Sequence, residues 1–469
     1  MLEKLKSIIL NGKEFLPIVE GSKGIGLTTG VTSGTFALND AIGTFSGVNP
    51  DILDENGEIV KFIVKAKNRL ERHWESVQHT IDAIISQAKR ARDIAGTKGR
   101  IHMNVLWEMG STEYILNEAL SKAKELIQGI VCGAGMPYKL GEIASKYKVN
   151  YFPIVSSMRA FRILWKRSYE KTKEWLGAVV YECPWRAGGH NGLSNAEDPN
   201  VPGNTYERVK ELRSFMNTIG LESTPIIVAG GVWNLTEYKD FLGNPEIGNV
   251  AFQFGTRPMV TTENPLSMEN KLKLLNLEEG QVVTNTFSPT GFYSSAVRTP
   301  LIQKLFARLE RQVEYSKVQD NTFTNKIIDS ATKREYFVKN EDVKDIESWQ
   351  LDGNNVILPT PDDTIVFISD KENQQIKQDK LDCYGCLSQC QYSCWSQYEE
   401  NNNYNTGKIS DPRKFCIQKA LQYTKDGINP DEQLLFAGSC ATRFRTDPMY
   451  KNNYIPTTKE LINALIEGR

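Results

Sequence analysis

Eight short apolar runs constrain this chain more than any other feature. They lie at residues 16–21, 41–47, 100–107, 129–135, 150–156, 177–183, 224–230 and 249–256. Each is almost continuously apolar, without polar alternation, which is the pattern of a strand buried on both faces. Between them, 111–127, 158–176 and 206–219 carry a 3.6-residue apolar period, and 65–95 is a long, charged helical stretch. Strands alternating with helices predict a parallel sheet. Eight such units within about 260 residues match an α/β fold of the (β/α)8 TIM-barrel type. A doubly wound open sheet is the competing architecture. It would put a phosphate loop after its first strand, but Gly21-Ser22-Lys23-Gly24-Ile25-Gly26 has neither the G-x-G-x-x-G order nor a Gly-Lys-Ser/Thr ending.

Ahead of the first run, Asn11-Gly12 sits between apolar pairs. That is a hairpin signal, and such a hairpin could plug the barrel floor. From Val318 to about Lys380 the chain turns polar and loses its rhythm, with weak strand runs at 355–359 and 364–369. The expected division is a barrel with its hairpin over 1–317, then a smaller appendage over 318–469. The appendage comprises a polar insertion and a cysteine-rich C-terminal region.

Composition narrows the partners. Of 469 residues, 40% are apolar and 24% charged, enough for a large packed core. The 56 basic and 57 acidic residues leave a net charge of −1, which argues against nucleic acid or an acidic membrane as partner. No run approaches the roughly 18 apolar residues of a membrane helix. Ile8-Ile9-Leu10, after the basic N-terminus, is too short for a secretory signal. The expectation is a cytoplasmic protein that acts on a small molecule.

Barrel enzymes build their sites at the C-terminal ends of their strands. After the sixth run comes Arg186-Ala187-Gly188-Gly189-His190-Asn191-Gly192. Gly188 and Gly189 let backbone approach a ligand and expose amide donors, and His190 is presented at the mouth. The chain has three other histidines. His73 and His79 lie on the charged helix, where a packed or solvated ring is expected, and His102 lies within a strand as a core group. Gly230-Gly231 follows the seventh run and Gly255-Thr256 the eighth. Barrels often hold a phosphate between these two loops. Gly133 and Gly135 end the fourth run, Gly21 the first, and Asn104 near the end of the third can offer a donor and an acceptor to a heterocycle. So many glycines suit a flat, wide cofactor held largely by backbone, which points to flavin mononucleotide, FMN.

These residues resemble the nitronate monooxygenase family, formerly 2-nitropropane dioxygenases, whose superfamily includes flavin-type enoyl-acyl-carrier-protein reductases. Pro17-Ile18-Val19-Glu20-Gly21 with Gly24-Ile25-Gly26 is similar to the family's opening segment. Cys132-Gly133-Ala134-Gly135-Met136-Pro137 is similar to its Ser-Gly-Ala-Gly-Leu-Pro turn. Ala187-Gly188-Gly189-His190 is its hallmark, and 225–231 with 253–257 is its phosphate-end pair. Ser288-Pro289-Thr290-Gly291 with Arg298, and 415–417 with 436–439, resemble later segments of longer members.

The resemblance implies an FMN-binding barrel. Gly230, Gly231, Gly255 and Thr256 would hold the phosphate. Val19, Glu20 and Gly21 would present backbone to the ring system, with Asn104 and Glu182 near its polar edge. His190 would be the catalytic base, or a hydrogen-bond donor to the nitronate. Oxygen would complete oxidation of the nitronate to a carbonyl compound and nitrite. The chain departs from the family where Lys23 replaces a methionine, Ser22 a glycine, and Trp185-Arg186 adds a residue before the hallmark. Two alternatives stand beside nitronate oxidation with O2. One is an NAD(P)H-dependent FMN enoyl-thioester reductase. The other is a non-catalytic barrel that serves as scaffold or sensor.

Six of the eight cysteines crowd the C-terminal part. Cys383, Cys386, Cys390 and Cys394 are dense enough for Zn²⁺ or an iron–sulfur cluster, and Cys416 could replace Cys394 as fourth ligand. The spacing misses the ferredoxin run by one residue, and no second C-x-x-C closes a zinc ribbon. Packed, reduced thiols and redox sensing are the other readings of the cluster.

Overall fold

The computed structural model describes residues 5–397 and 408–469. An antiparallel hairpin, β1 (Ile8–Leu10) and β2 (Lys13–Phe15), turns at Asn11-Gly12, both at positive φ. It leads into β3 (Ile18–Glu20), α1 (Gly30–Leu38) and β4 (Ile42–Ser46), followed by a two-residue ribbon of β5 (Ile52–Leu53) and β6 (Ile59–Val60), and then α2 (Arg69–Ala95). The alternation continues through β7 (Arg100–Leu106), α3 (Thr112–Ala123), β8 (Gly129–Gly133), α4 (Leu140–Tyr147), β9 (Asn150–Val155), α5 (Met158–Arg167) and β10 (Val179–Glu182). After β11 (Gly189–His190) come α6 (Thr205–Thr218), β12 (Ile226–Ala229) and β13 (Val250–Phe254).

β3, β4, β7, β8, β9, β10, β12 and β13 pair in chain order, all parallel, and close into a barrel. Each falls within one of the eight apolar runs. The barrel interior is filled by side chains such as Val19, Ile42, Val131, Val180, Ile227 and Ala251, and Ile8, Leu10 and Phe15 of the hairpin pack into the same cluster. The expected floor plug is therefore present. The stretch 158–176 is not one helix. α5 ends at Arg167, and a 3-10 segment, Tyr169–Trp175, follows. Tyr169 is fully buried and its hydroxyl donates to the Pro137 carbonyl at 2.8 Å, a tertiary demand that overrides helix continuation.

Beyond the barrel lie α7 (Met268–Leu275), the hairpin β14 (Val282–Asn285) and β15 (Ser294–Val297), and α8 (Pro300–Glu310). β15 also pairs with β11, with Gly189 opposite Ser295 and His190 opposite Ser294. A small layer with its own core, including Val338, Ile346, Ile357, Ile365 and Phe367, spans β16 (Gln312–Glu314), β17 (Asn325–Ile328), β18 (Glu335–Val338), α9 (Val343–Leu351), β19 (Val356–Pro359) and β20 (Thr364–Ile368). α10 (Asp370–Leu381) starts from a Ser369–Glu372 capping box. The short ribbon of β21 (Gln389–Cys390) and β22 (Trp395–Ser396) follows, and then α11 (Ile417–Asp426). α12 (Thr458–Ile466), also started by a capping box, returns to the barrel. Its Leu461, Ile462 and Leu465 join the main core and it packs on α1. Among the described residues, no helix is long and apolar enough to cross a membrane.

Candidate active site

The C-terminal ends of the barrel strands surround a cleft of about 1530 Å³, its open mouth included. Gly21, Asn104, Glu182, Gly188, Gly189, His190, Gly230, Gly231, Gly255 and Thr256 all line it. Val19 and Glu20 do not. Val19 points into the barrel interior. The Glu20 carboxylate turns between α1 and β4, where Oε2 accepts from Ser33 Oγ at 2.8 Å and from the Thr44 amide at 3.0 Å.

Glycine is required at the end of β12. Gly230 and Gly231 adopt φ of +82° and +79°. A Cβ on Gly230 would meet the Cys183 backbone at 2.7 Å, and one on Gly231 would meet the Arg186 side chain at 2.6 Å. Arg186 thus lies against Gly231, and its side chain has no hydrogen-bond or ion-pair partner among the described residues. Gly255 faces open space, with the Thr256 hydroxyl beside it. This end of the cleft therefore gathers glycine backbone, a hydroxyl and an unpaired cation, a donor set suited to a phosphate.

Polar side chains form the floor. Asn104, Glu182 and Gln253 come from β7, β10 and β13. Asn104 Nδ2 donates to the Val131 carbonyl at 3.3 Å. Glu182 and Gln253 have no hydrogen-bond partner among the described residues, and burial pushes the Glu182 carboxyl up to about 7. Beside them, Lys23 Nζ donates to the carbonyls of Gly21 at 2.6 Å and Gly255 at 3.0 Å. Burial lowers its ammonium to about 8 against the opposing pull of Glu20.

His190 is held from outside the barrel. Its Nε2 lies 2.6 Å from Ser288 Oγ and 3.2 Å from Thr290 Oγ1, both on the loop between β14 and β15. The ring leans against Phe436 and Phe292, at centroid distances of 5.8 and 6.5 Å. Burial lowers its pKa to about 4, so the ring is neutral at neutral pH. The other histidines take structural roles. His73 ties α2 to the Gly385 carbonyl at 3.0 Å and to Ser111 at 2.8 Å. His79 stacks on Phe62. His102 accepts from Arg100 Nε at 2.8 Å inside the barrel.

The C-terminal region forms the roof. Met109 bridges to Leu387, and Cys386, Leu387, Ile417 and Leu421 cover the cleft with apolar surface. Phe436, Ala437 and Cys440 close the end beside Thr256, where the Gly438 amide donates to Thr256 Oγ1 at 3.2 Å. A rule that looks only at barrel strand ends passes over these residues, as it does Ser288, and it gives no role to Arg186 or Gln253, which lie in the segments it selects. The motif 436–439 signals that the segment matters but not where it docks.

Among the described residues, no group of three or more His, Cys, Asp or Glu side chains is placed to hold a metal ion. All eight cysteines are free thiols. Cys390 and Cys416 pack with Ile376 and Tyr392, and Cys386 with the core around Leu387 and Phe415. Burial raises the thiols of Cys386, Cys390 and Cys416, which favours the protonated form over a metal-binding thiolate.

No protein-family model matches the chain, and no curated protein matches its sequence. Solved structures do match. FabK from Thermotoga maritima is 13% identical, covering 100% of this chain and 94% of its own, with a TM-score of 0.52. The enoyl reductase domain of MlnA, from the macrolactin biosynthesis cluster of Bacillus amyloliquefaciens, is 12% identical, covering 97% and 93%, with a TM-score of 0.56. This chain shares its fold with both. The match to FabK and the MlnA domain runs through the C-terminal region as well as the barrel, so the likeness read from the sequence motifs extends to the fold. A nitroalkane oxidase from Streptomyces ansochromogenes is 14% identical, over 62% of this chain and 78% of its own, with a TM-score of 0.45.

Proposed function

We propose that the chain is an FMN-dependent oxidoreductase that oxidises alkyl nitronates with O2 to carbonyl compounds and nitrite. The observation that carries this reading is a neutral histidine, held by a serine, in the same cleft as a phosphate-type donor set. The residues present fit FMN. Gly230, Gly231, Gly255, Thr256 and the unpaired Arg186 would take its phosphate. The unpartnered Glu182 and Gln253, with Asn104, would face the polar edge of its ring system, and Gly21 and Lys23 would flank it. When bound, FMN supplies electron transfer between an organic substrate and O2.

The chain's own residues then have separable tasks. His190 orients the substrate by a hydrogen bond from a desolvated, neutral ring. The apolar roof of Met109, Leu387, Ile417 and Leu421 excludes water above the reacting centre and receives an alkyl group. A second reading, reduction of an enoyl thioester by NAD(P)H, draws on that same roof, which suits an acyl chain, and on the names of the two structures that share the fold.

Purified protein should show a flavin spectrum that changes on anaerobic addition of an alkyl nitronate. His190→Ala should keep the flavin and lose about 10²–10³-fold in turnover, as for the loss of one aimed hydrogen-bond donor. A flavin that ignores nitronate but is reduced by NADH or NADPH would move the assignment to the enoyl thioester. Protein that is colourless and takes up no FMN would overturn both.

A further inference from the structure

The contacts of His190 determine which of its nitrogens carries the proton. Nε2, Ser288 Oγ and Thr290 Oγ1 form a closed triangle with sides of 2.6, 2.8 and 3.2 Å. Two amides already donate into it. The Thr290 amide donates to Ser288 Oγ at 3.4 Å, and the Phe292 amide donates to Thr290 Oγ1 at 3.3 Å. Each hydroxyl then has one hydrogen and one lone pair left for the triangle. If Nε2 is bare, the Ser288 hydroxyl donates to it, the Thr290 hydroxyl donates to Ser288 Oγ, and every hydrogen finds an acceptor. If Nε2 carries the proton, three hydrogens compete for two oxygen acceptors, and one hydroxyl is left without a partner in the triangle. That hydroxyl is either Ser288, which is fully buried, or Thr290, which is half-buried, and the 2.6 Å contact between Nε2 and Ser288 Oγ is shorter than an N–H donor usually makes but ordinary for an O–H donor, which selects the bare Nε2.

We infer that resting His190 is the Nδ1–H tautomer, fixed by Ser288 and Thr290 as positioning residues, and that it faces the cleft as a hydrogen-bond donor rather than as a base. Nδ1 has no partner among the described residues, and the ring lines the cleft. The consequence for substrate class rests on the function proposed above. A donor recognises a substrate through an oxygen acceptor, such as the charged oxygen of a nitronate or the carbonyl of a thioester. It does not take a carbon-bound proton from a neutral nitroalkane, because that requires a bare nitrogen facing the substrate. The chain is therefore specific for the preformed nitronate anion over its neutral parent.

The test is a two-bond proton–nitrogen NMR spectrum of holoprotein labelled with ¹⁵N-histidine, with His190→Gln used to assign the signal. The expected spectrum has a protonated Nδ1 and a bare Nε2. Ser288→Ala with Thr290→Ala should move the proton to Nε2 in part or in full, and the conservative Ser288→Thr should keep it on Nδ1. A proton on Nε2 in the unaltered protein overturns the inference even if both variants misfold. An unchanged tautomer in a folded double variant overturns the role of the two hydroxyls. Turnover should favour nitronate over the neutral nitroalkane by at least about 10²-fold; equal rates would contradict the donor assignment. The tautomer is read without turnover, so its failure is separate from that of the functional reading. A protein that binds no flavin but carries Nδ1–H would sink the flavin assignment alone.

Discussion

Two ionisable groups in the cleft respond to pH in opposite directions. Burial raises the Glu182 carboxyl from 4.5 to about 7 and lowers His190 from 6.5 to about 4. Between 4.5 and 7 the folded state holds the Glu182 proton more tightly than the unfolded chain, so this group's contribution to stability falls as pH rises through that window. Below 6.5 the unfolded chain binds the histidine proton first, so the His190 contribution is complete above 6.5 and falls as pH drops toward 4. Glu182→Gln should therefore stabilise the apoprotein on the order of 1 kcal/mol at about pH 8, discounted because the carboxyl reaches the open cleft, and by little at about pH 4. Urea unfolding at both pH values checks this. Glu182 was legible in the sequence only through the family resemblance. Its lack of a partner, which sets its titration, is a property of the packed floor and leaves no trace in the spacing of residues.

At the scale of elements, the barrel strands were the most legible part of the chain. A parallel strand covered on both faces must be apolar throughout, and each run marks one strand to within a few residues. The segments after the barrel were less legible because their partners are distant in sequence. β11 is two residues long and exists because β15 pairs with it. Gly188 shows how tightly such a distant segment docks. A Cβ there would lie 2.5 Å from the carbonyl carbon of Ala437 and 2.6 Å from the Gly438 nitrogen. Backbone cannot yield as a side-chain tip can, so Gly188→Ala should push away the 436–440 segment and break the Gly438–Thr256 hydrogen bond. The expected cost is about 1–3 kcal/mol in stability. On the FMN assignment proposed above, affinity for FMN should weaken at least about 10-fold, measured by fluorescence titration of apoprotein.

Across the whole molecule, the C-terminal region does two different things. Its middle part roofs the cleft, and α12 becomes part of the helical layer around the barrel. A small layer with its own core begins at β16, and two of its strands, β19 and β20, lie at the weak runs seen in the sequence. The return of α12 could not be read, because an amphipathic helix does not say which face of which neighbour it will cover. Leu465 is fully buried in that contact, so Leu465→Ala should cost about 2–5 kcal/mol in global stability, read as a lower urea midpoint of the whole barrel.

The docking of α12 on α1 also sets an order of events during synthesis. α1 leaves the ribosome long before α12, which follows only after residue 458 has been translated. Until then the flank of α1 that α12 covers stays open to water. A nascent chain with all eight strands already emerged would thus still lack Leu461, Ile462 and Leu465 from its main core, and the incomplete core is a natural binding place for a chaperone. Contacts between elements so distant in sequence also close late and slow the final step of folding.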